Sequence, residues 1–150
     1  REEATSSTDS LYREYFKPIW RWSDAFQNDF AARADWCVKS YDEANHPPVV
    51  MLKNPSDLEA KPGSNLALSA EDTFDPDGDQ LTFRWWRYGE ADSYDGKIEI
   101  ENAGSVHASI QIPEDIEDGA AMHVICEVRD NGIPQLTRYQ RVIVAVESGD

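Results

Sequence analysis

The sequence predicts a mainly-β protein in which two layers of antiparallel strands form a sandwich behind an N-terminal helical segment. After residue 48, apolar and polar residues alternate in seven short runs, which turn-forming residues separate. Before residue 47, apolar residues recur with helical spacing instead. No helical period follows residue 48, which argues against a parallel sheet with crossover helices.

The first part of the chain predicts two helices. A short helix begins near residue 8 and ends at Pro18, because proline cannot continue the hydrogen-bond pattern. Ser23 caps a second helix that runs to about Val38. The Pro47-Pro48 pair then imposes an extended backbone and marks a boundary. The predicted parts are a helical segment at residues 1–47 and a sandwich domain at residues 48–150.

Seven strands follow from the alternation of apolar residues after this boundary. Their number, their length and the turn signals between them are typical of an immunoglobulin-like antiparallel sandwich. Residues 54–64, rich in Pro and Gly, are interpreted as a loop between the first two strands. The predicted strands are Val49–Leu52, Leu66–Ala70, Leu81–Tyr88, Lys97–Glu101, Val106–Ile112, Ala121–Arg129 and Arg138–Val146.

The third predicted strand is the most aromatic stretch of the chain, and it follows an acidic Pro-Gly turn. Successive side chains of a strand point to opposite faces. Leu81, Phe83 and Trp85 are therefore expected in the core, while Trp86 and Tyr88 lie on the other face of the sheet.

The outward rings suggest a binding surface for sugars. Trp86 and Tyr88, together with Tyr94 in the next loop, offer flat aromatic faces of the kind that anchor ligands. The alternative is that the N-terminal helices cover Trp86 and Tyr88, because an amphipathic helix must bury its apolar side somewhere.

Acidic residues cluster around the turn before the aromatic strand, and they predict a calcium site. In a sandwich, the loops after the second and sixth strands emerge at the same end, so Asp130 is expected near the turn. Ca²⁺ prefers six to eight oxygen ligands, many of them carboxylates. The spacing is not that of an EF-hand, and the alternative is that these acids only form turns. The candidate ligands are Asp75, Asp77, Asp79 and Asp130.

The composition narrows the classes of partner. A formal net charge of −15 repels phosphate backbones, so nucleic acid is not an expected partner. No apolar run approaches the roughly 20 residues of a membrane span. Cys37 and Cys126 are expected to be buried free thiols, with pairing left open. No histidine, serine or cysteine stands in a catalytic context, so this chain alone is not expected to be an enzyme.

Two resemblances accompany these motifs. The stretch from Asp75 to Trp85 resembles the signature of PKD and cadherin-like modules, which are extracellular sandwiches, some of which bind Ca²⁺. Longer runs resemble the C-terminal region of a bacterial family of cellulose-binding proteins that carry a nucleoside-hydrolase-like domain ahead of this region. These runs are Ala25–Arg33, Asp35–Val38, Ala44–Pro48, Arg84–Trp86 and Asp130–Val144.

The second resemblance implies a function. The chain is expected to be the C-terminal part of a secreted, glycan-associated bacterial protein, with its helices as the bridge to the N-terminal domain. It would be a non-catalytic accessory module that binds polysaccharide or braces the nucleoside-hydrolase-like domain. The alternatives are a purely structural module without a ligand, and part of a glycoside hydrolase whose site lies mainly in the N-terminal domain.

Overall fold

A computed structural model of the protein describes residues 7–147; for residues 7–13 and Pro18, only the backbone is described. One α-helix, α1 (Ser7–Trp36), precedes seven strands, and the predicted fold class is confirmed. The strands are β1 (Asp57–Ala60), β2 (Asn65–Ser69), β3 (Thr82–Arg87), β4 (Glu99–Glu101), β5 (His107–Gln111), β6 (Ala121–Arg129) and β7 (Thr137–Val146).

The prediction of two helices is wrong, because α1 continues through Pro18. An interior proline removes one hydrogen bond and costs about 3 kcal/mol. Contacts between the later turns of α1 and the sheet, made by Arg21, Trp22 and Asp29, offset that cost. Ser23 caps nothing: its hydroxyl donates to the carbonyl of Trp20 at 3.0 Å, as a serine inside a helix does.

The first predicted strand is also wrong. Val49 forms only an isolated bridge with Phe74. The first strand is instead β1, within the segment interpreted as a loop, and it runs parallel to β7. Strand β1 is a four-residue edge strand whose only apolar side chains are Leu58 and Ala60, too few to give a clear alternation.

The two sheets have the strand orders β1-β7-β6-β3 and β2-β5-β4. In the first sheet, the long central strands β6 and β7 pair with each other along most of their length. Strand β3 pairs with β6, and Trp85 lies opposite Cys126. The inner faces of both sheets form one continuous apolar core. Trp85 is 2% exposed within it, and Phe83 and Leu81 pack against it partly buried, so the predicted faces of β3 are confirmed.

Both cysteines are free thiols. Cys126 is fully buried on β6, as predicted. Cys37 is exposed just beyond the end of α1, so the prediction that both are buried is wrong for this residue.

Candidate functional site

The outer face of the larger sheet carries Trp86 and Tyr88, and α1 lies against it. The ring centroid of Trp22 is 5.7 Å from Trp86, 6.4 Å from Tyr88 and 4.7 Å from Tyr139. The guanidinium of Arg21 lies 5.4 Å from the rings of both Trp86 and Tyr88. Both rings are half-buried. The helix therefore covers part of the predicted sugar surface, as expected from the alternative in which the N-terminal helices cover Trp86 and Tyr88. Sugar contact through these rings stays a prediction.

Tyr94 is separate from this helix-covered pair. Its ring packs against the core, its hydroxyl donates to Asp115 Oδ1 at 3.2 Å, and the guanidinium of Arg87 lies 5.8 Å from its centroid. Arg87 in turn donates to the carbonyls of Tyr94 and Gly96, which fixes the loop. The three predicted ring residues thus do not form one flat surface.

Three of the four predicted calcium ligands meet at one end of the sandwich. Asp75, Asp79 and Asp130 each offer a carboxylate oxygen within 4.8 Å of the others. Burial, together with the negative charges of Asp75, Asp130 and Asp77, raises the pKa of Asp79. Oδ2 of Asp75 is buried and has no hydrogen-bond partner among the residues that the structure describes. A cation would satisfy that oxygen and relieve the repulsion among the carboxylates.

The backbone holds two of these carboxylates in place. Oδ1 of Asp75 accepts from the amides of Asp77 and Asp79 at 2.9 and 3.2 Å, which is how aspartate shapes a turn. Oδ1 of Asp130 accepts from the amides of Gly132 and Leu136 at 3.1 and 2.8 Å. Both interpretations of the acidic loop therefore have support, since the acids form turns and also converge.

The fourth predicted ligand, Asp77, lies outside this group. Its Oδ2 accepts from the backbone amide of His46 at 2.6 Å, and its Oδ1 is 3.0 Å from Nδ1 of the same residue. The imidazole of His46 is stacked on Tyr41, with centroids 3.9 Å apart, and parallel to Trp36 at 5.7 Å. Asp77 therefore connects the sandwich to the segment that follows α1.

Asn45 is a residue of this end that sequence reasoning missed. Its amide nitrogen donates to Oδ2 of Asp130 at 3.0 Å and to the carbonyl of Pro134 at 2.8 Å. The backbone carbonyl of Asn45 accepts from the indole of Trp36 at 2.8 Å. An asparagine before a histidine and two prolines suggested only a boundary, and only the tertiary fold brings it to Asp130.

A family model described as the C-terminal domain of cellulose-binding protein Sde0182 matches residues 65–146. No curated protein matches the chain. Within the described residues, no helix is both long enough and apolar enough to span a bilayer.

One similar solved structure is a nucleoside hydrolase-related hypothetical protein from Saccharophagus degradans that is associated with carbohydrate metabolism. It is 44% identical, with a TM-score of 0.81, over 85% of this chain. The match covers 32% of that protein, so the chain spans about a third of its length.

Two more distant structures resemble the chain. The PKD domain of the KIAA 1837 protein is 21% identical over 68% of this chain and 92% of its own, with a TM-score of 0.45. An endo-fucoidan hydrolase of glycoside hydrolase family 107 is 15% identical over 69% of this chain and 14% of its own, with a TM-score of 0.42. The family model covers more than half of the chain, and the chain belongs to the family of the C-terminal domain of cellulose-binding protein Sde0182.

Proposed function

We propose that this chain is a non-catalytic accessory module that braces a nucleoside-hydrolase-like domain in a secreted, polysaccharide-associated protein. The observation that carries the proposal is a stripe of exposed apolar side chains on α1, which runs beside the residues that contact the sheet. The relative from Saccharophagus degradans is nucleoside hydrolase-related and about three times longer than the matched region. A domain in the remaining two thirds of such a protein is the partner that we propose for this stripe.

We define the helix stripe as Tyr15, Ile19, Phe26 and Phe30. At 100° per residue these four side chains fall within about 60° of arc along α1. They are 80%, 61%, 73% and 70% exposed. Four large apolar side chains exposed along one line of a helix are the kind of feature that marks an interaction surface.

The test of the helix stripe is co-purification of this chain with the nucleoside-hydrolase-like part of its full-length protein. A Phe26→Glu/Phe30→Glu variant should lose the partner, because two charges would be buried in an apolar contact. The matched control is Ala31→Glu, which adds a charge to an exposed position of α1 about 100° or more from the stripe. Retention of the partner by the double variant would contradict the proposal.

We also propose that the three converging carboxylates bind Ca²⁺. The support is the buried, unpaired Oδ2 of Asp75 and the raised pKa of Asp79. Asp75, Asp79 and Asp130 would supply three hard oxygen ligands, and loop carbonyls and water would complete the shell.

Calcium should raise the melting temperature of the chain, because a ligand of the native state stabilises it by about 1.4 kcal/mol at ten times its Kd. Asp79→Asn should abolish this response. The same variant should be more stable than wild type without calcium, since it removes one charge from three mutually repelling carboxylates. A thermal shift that is the same with calcium, with magnesium and with chelator would contradict the site.

A further inference from the structure

A polar cleft lies where α1 crosses the larger sheet, and neither the sequence motifs nor the family match points to it. The helix contributes Asp24, Gln27 and Asn28, and the sheet contributes Arg129, Thr137 and Tyr139. The cleft has a volume of about 290 Å³. That is close to the lower limit of about 300–1,000 Å³ for small-molecule sites, so it fits one compact ligand unit.

Several polar groups of the cleft are not used by the fold. The side-chain amides of Gln27 and Asn28 and the hydroxyl of Tyr139 make no hydrogen bond to another residue within the described part of the chain. The carboxylate of Asp24 has only a long 3.5 Å contact with the hydroxyl of Ser23. Amides, a carboxylate and a phenol together offer both donors and acceptors, which is what a ligand with several hydroxyls requires.

The charges of the cleft favour a neutral ligand. Arg129 is paired with Glu127 at 2.6 Å, and Arg21, at the edge of the cleft, is paired with Glu90. Asp24, which is the acidic residue of the cleft, has no ion-pair partner among the described residues. Phosphorylated, sulfated or uronic-acid ligands would therefore meet no free cation here, and the net charge of −15 repels them further.

One wall of the cleft is aromatic. The ring of Tyr139 is half-buried and is held edge-to-face by Trp22, with centroids 4.7 Å apart. A rigid ring beside several polar groups suits a sugar, which has apolar C–H faces and polar hydroxyl edges.

We infer that this helix–sheet cleft binds one unit of a neutral polysaccharide, through the amides of Gln27 and Asn28, the carboxylate of Asp24 and the ring and hydroxyl of Tyr139. The inference rests on the carbohydrate association in the proposed function. It adds a site to that function, because Trp86 and Tyr88 lie under Trp22 and Arg21.

The test is isothermal titration of the chain with cellohexaose, and with xylohexaose and mannohexaose as further neutral probes. Asn28→Ala and Tyr139→Phe should each raise the Kd at least tenfold. Neither change removes a hydrogen bond between described residues, and Tyr139→Phe keeps the ring against Trp22, so the fold should be unaffected. The control is Gln140→Ala, which removes an exposed amide next to Tyr139 that does not line the cleft.

Two results would overturn the proposal of a binding cleft. The first is a wild-type chain that binds none of the three hexasaccharides. The second is wild-type affinity in both variants; if Tyr94→Ala then loses binding, the site lies instead in the loop at residue 94. Neither result bears on co-purification through the helix stripe, so failure of the cleft and failure of the bracing role are distinguishable.

Discussion

At the scale of single residues, Trp85 joins the two sheets. Its side chain is 2% exposed at the centre of the core, and its indole nitrogen donates to the carbonyl of Ser105 at 2.9 Å. The residue thus buries a large apolar surface and leaves no polar atom of its ring unpaired.

Trp85→Ala should lower the free energy of unfolding by about 3–5 kcal/mol, because it leaves a large cavity and an unpaired carbonyl. Urea denaturation measures this difference. Trp20→Ala, at a position that is 71% exposed, should change stability by less than about 0.5 kcal/mol. Similar losses in the two variants would mean that Trp85 is not a core residue.

The two cysteines should differ in reactivity. Burial raises the pKa of Cys126 to about 12, while Cys37 is exposed. Since the thiolate is the reactive form, a thiol reagent at pH 8 should modify one cysteine per native chain and both after unfolding. Mass spectrometry counts the labels. Rapid modification of Cys126 in the native state would contradict its place in the core.

At the scale of elements, the attachment of α1 depends on an ion pair as well as on Trp22. Asp29 accepts from Arg33 of its own helix at 2.7 Å and from Arg138 of β7 at 2.8 Å. Burial alone would raise the pKa of Asp29, but the hydrogen bonds from Arg33 and Arg138 outweigh it and hold the pKa below its usual range.

The stability that Asp29 adds is therefore present above its unfolded pKa of 3.8 and is lost as pH falls through the lower folded pKa. Asp29→Asn should cost about 0.5–1 kcal/mol at pH 7, and the difference from wild type should be smaller at pH 3, below the unfolded pKa. Denaturant titrations at both pH values measure it. Asp35→Asn is the control, because Asp35 pairs with Lys39, four residues along the chain, and not with the sheet among the described residues. A pH-independent difference would contradict the ion pair.

The elements that the sequence predicted well are those whose pattern comes from burial. Strand β6 coincides with its predicted bounds, and β3, β5 and β7 lie within a residue or so of theirs, because one face of each is in the core. The predictions at Pro18 and β1 were wrong because burial in the core does not set the local pattern there. Local rules favour a break at Pro18 and a loop around β1, and contacts with distant residues decide both.

At the scale of the whole molecule, one candidate site could be predicted from the sequence and the other could not. The approach of Asp130 to Asp75 and Asp79 was predictable, since the topology of a sandwich brings these loops to one end. The helix–sheet cleft was not, because it joins residues 24–28 of α1 to residues 129–139 across a packing angle that no local pattern specifies. The position of α1 likewise decided that Trp86 and Tyr88 are half-covered.

The hydrogen bond between Asn45 and Asp130 limits where the chain can be truncated. A fragment starting at residue 48 would retain strands β1 to β7, yet Oδ2 of Asp130 would lose the side-chain amide of Asn45 as its donor. A negative charge sealed away from solvent without that donor is costly, so the isolated sandwich would fold less stably than its strand content suggests. Expression trials of the β domain should therefore begin upstream of Asn45.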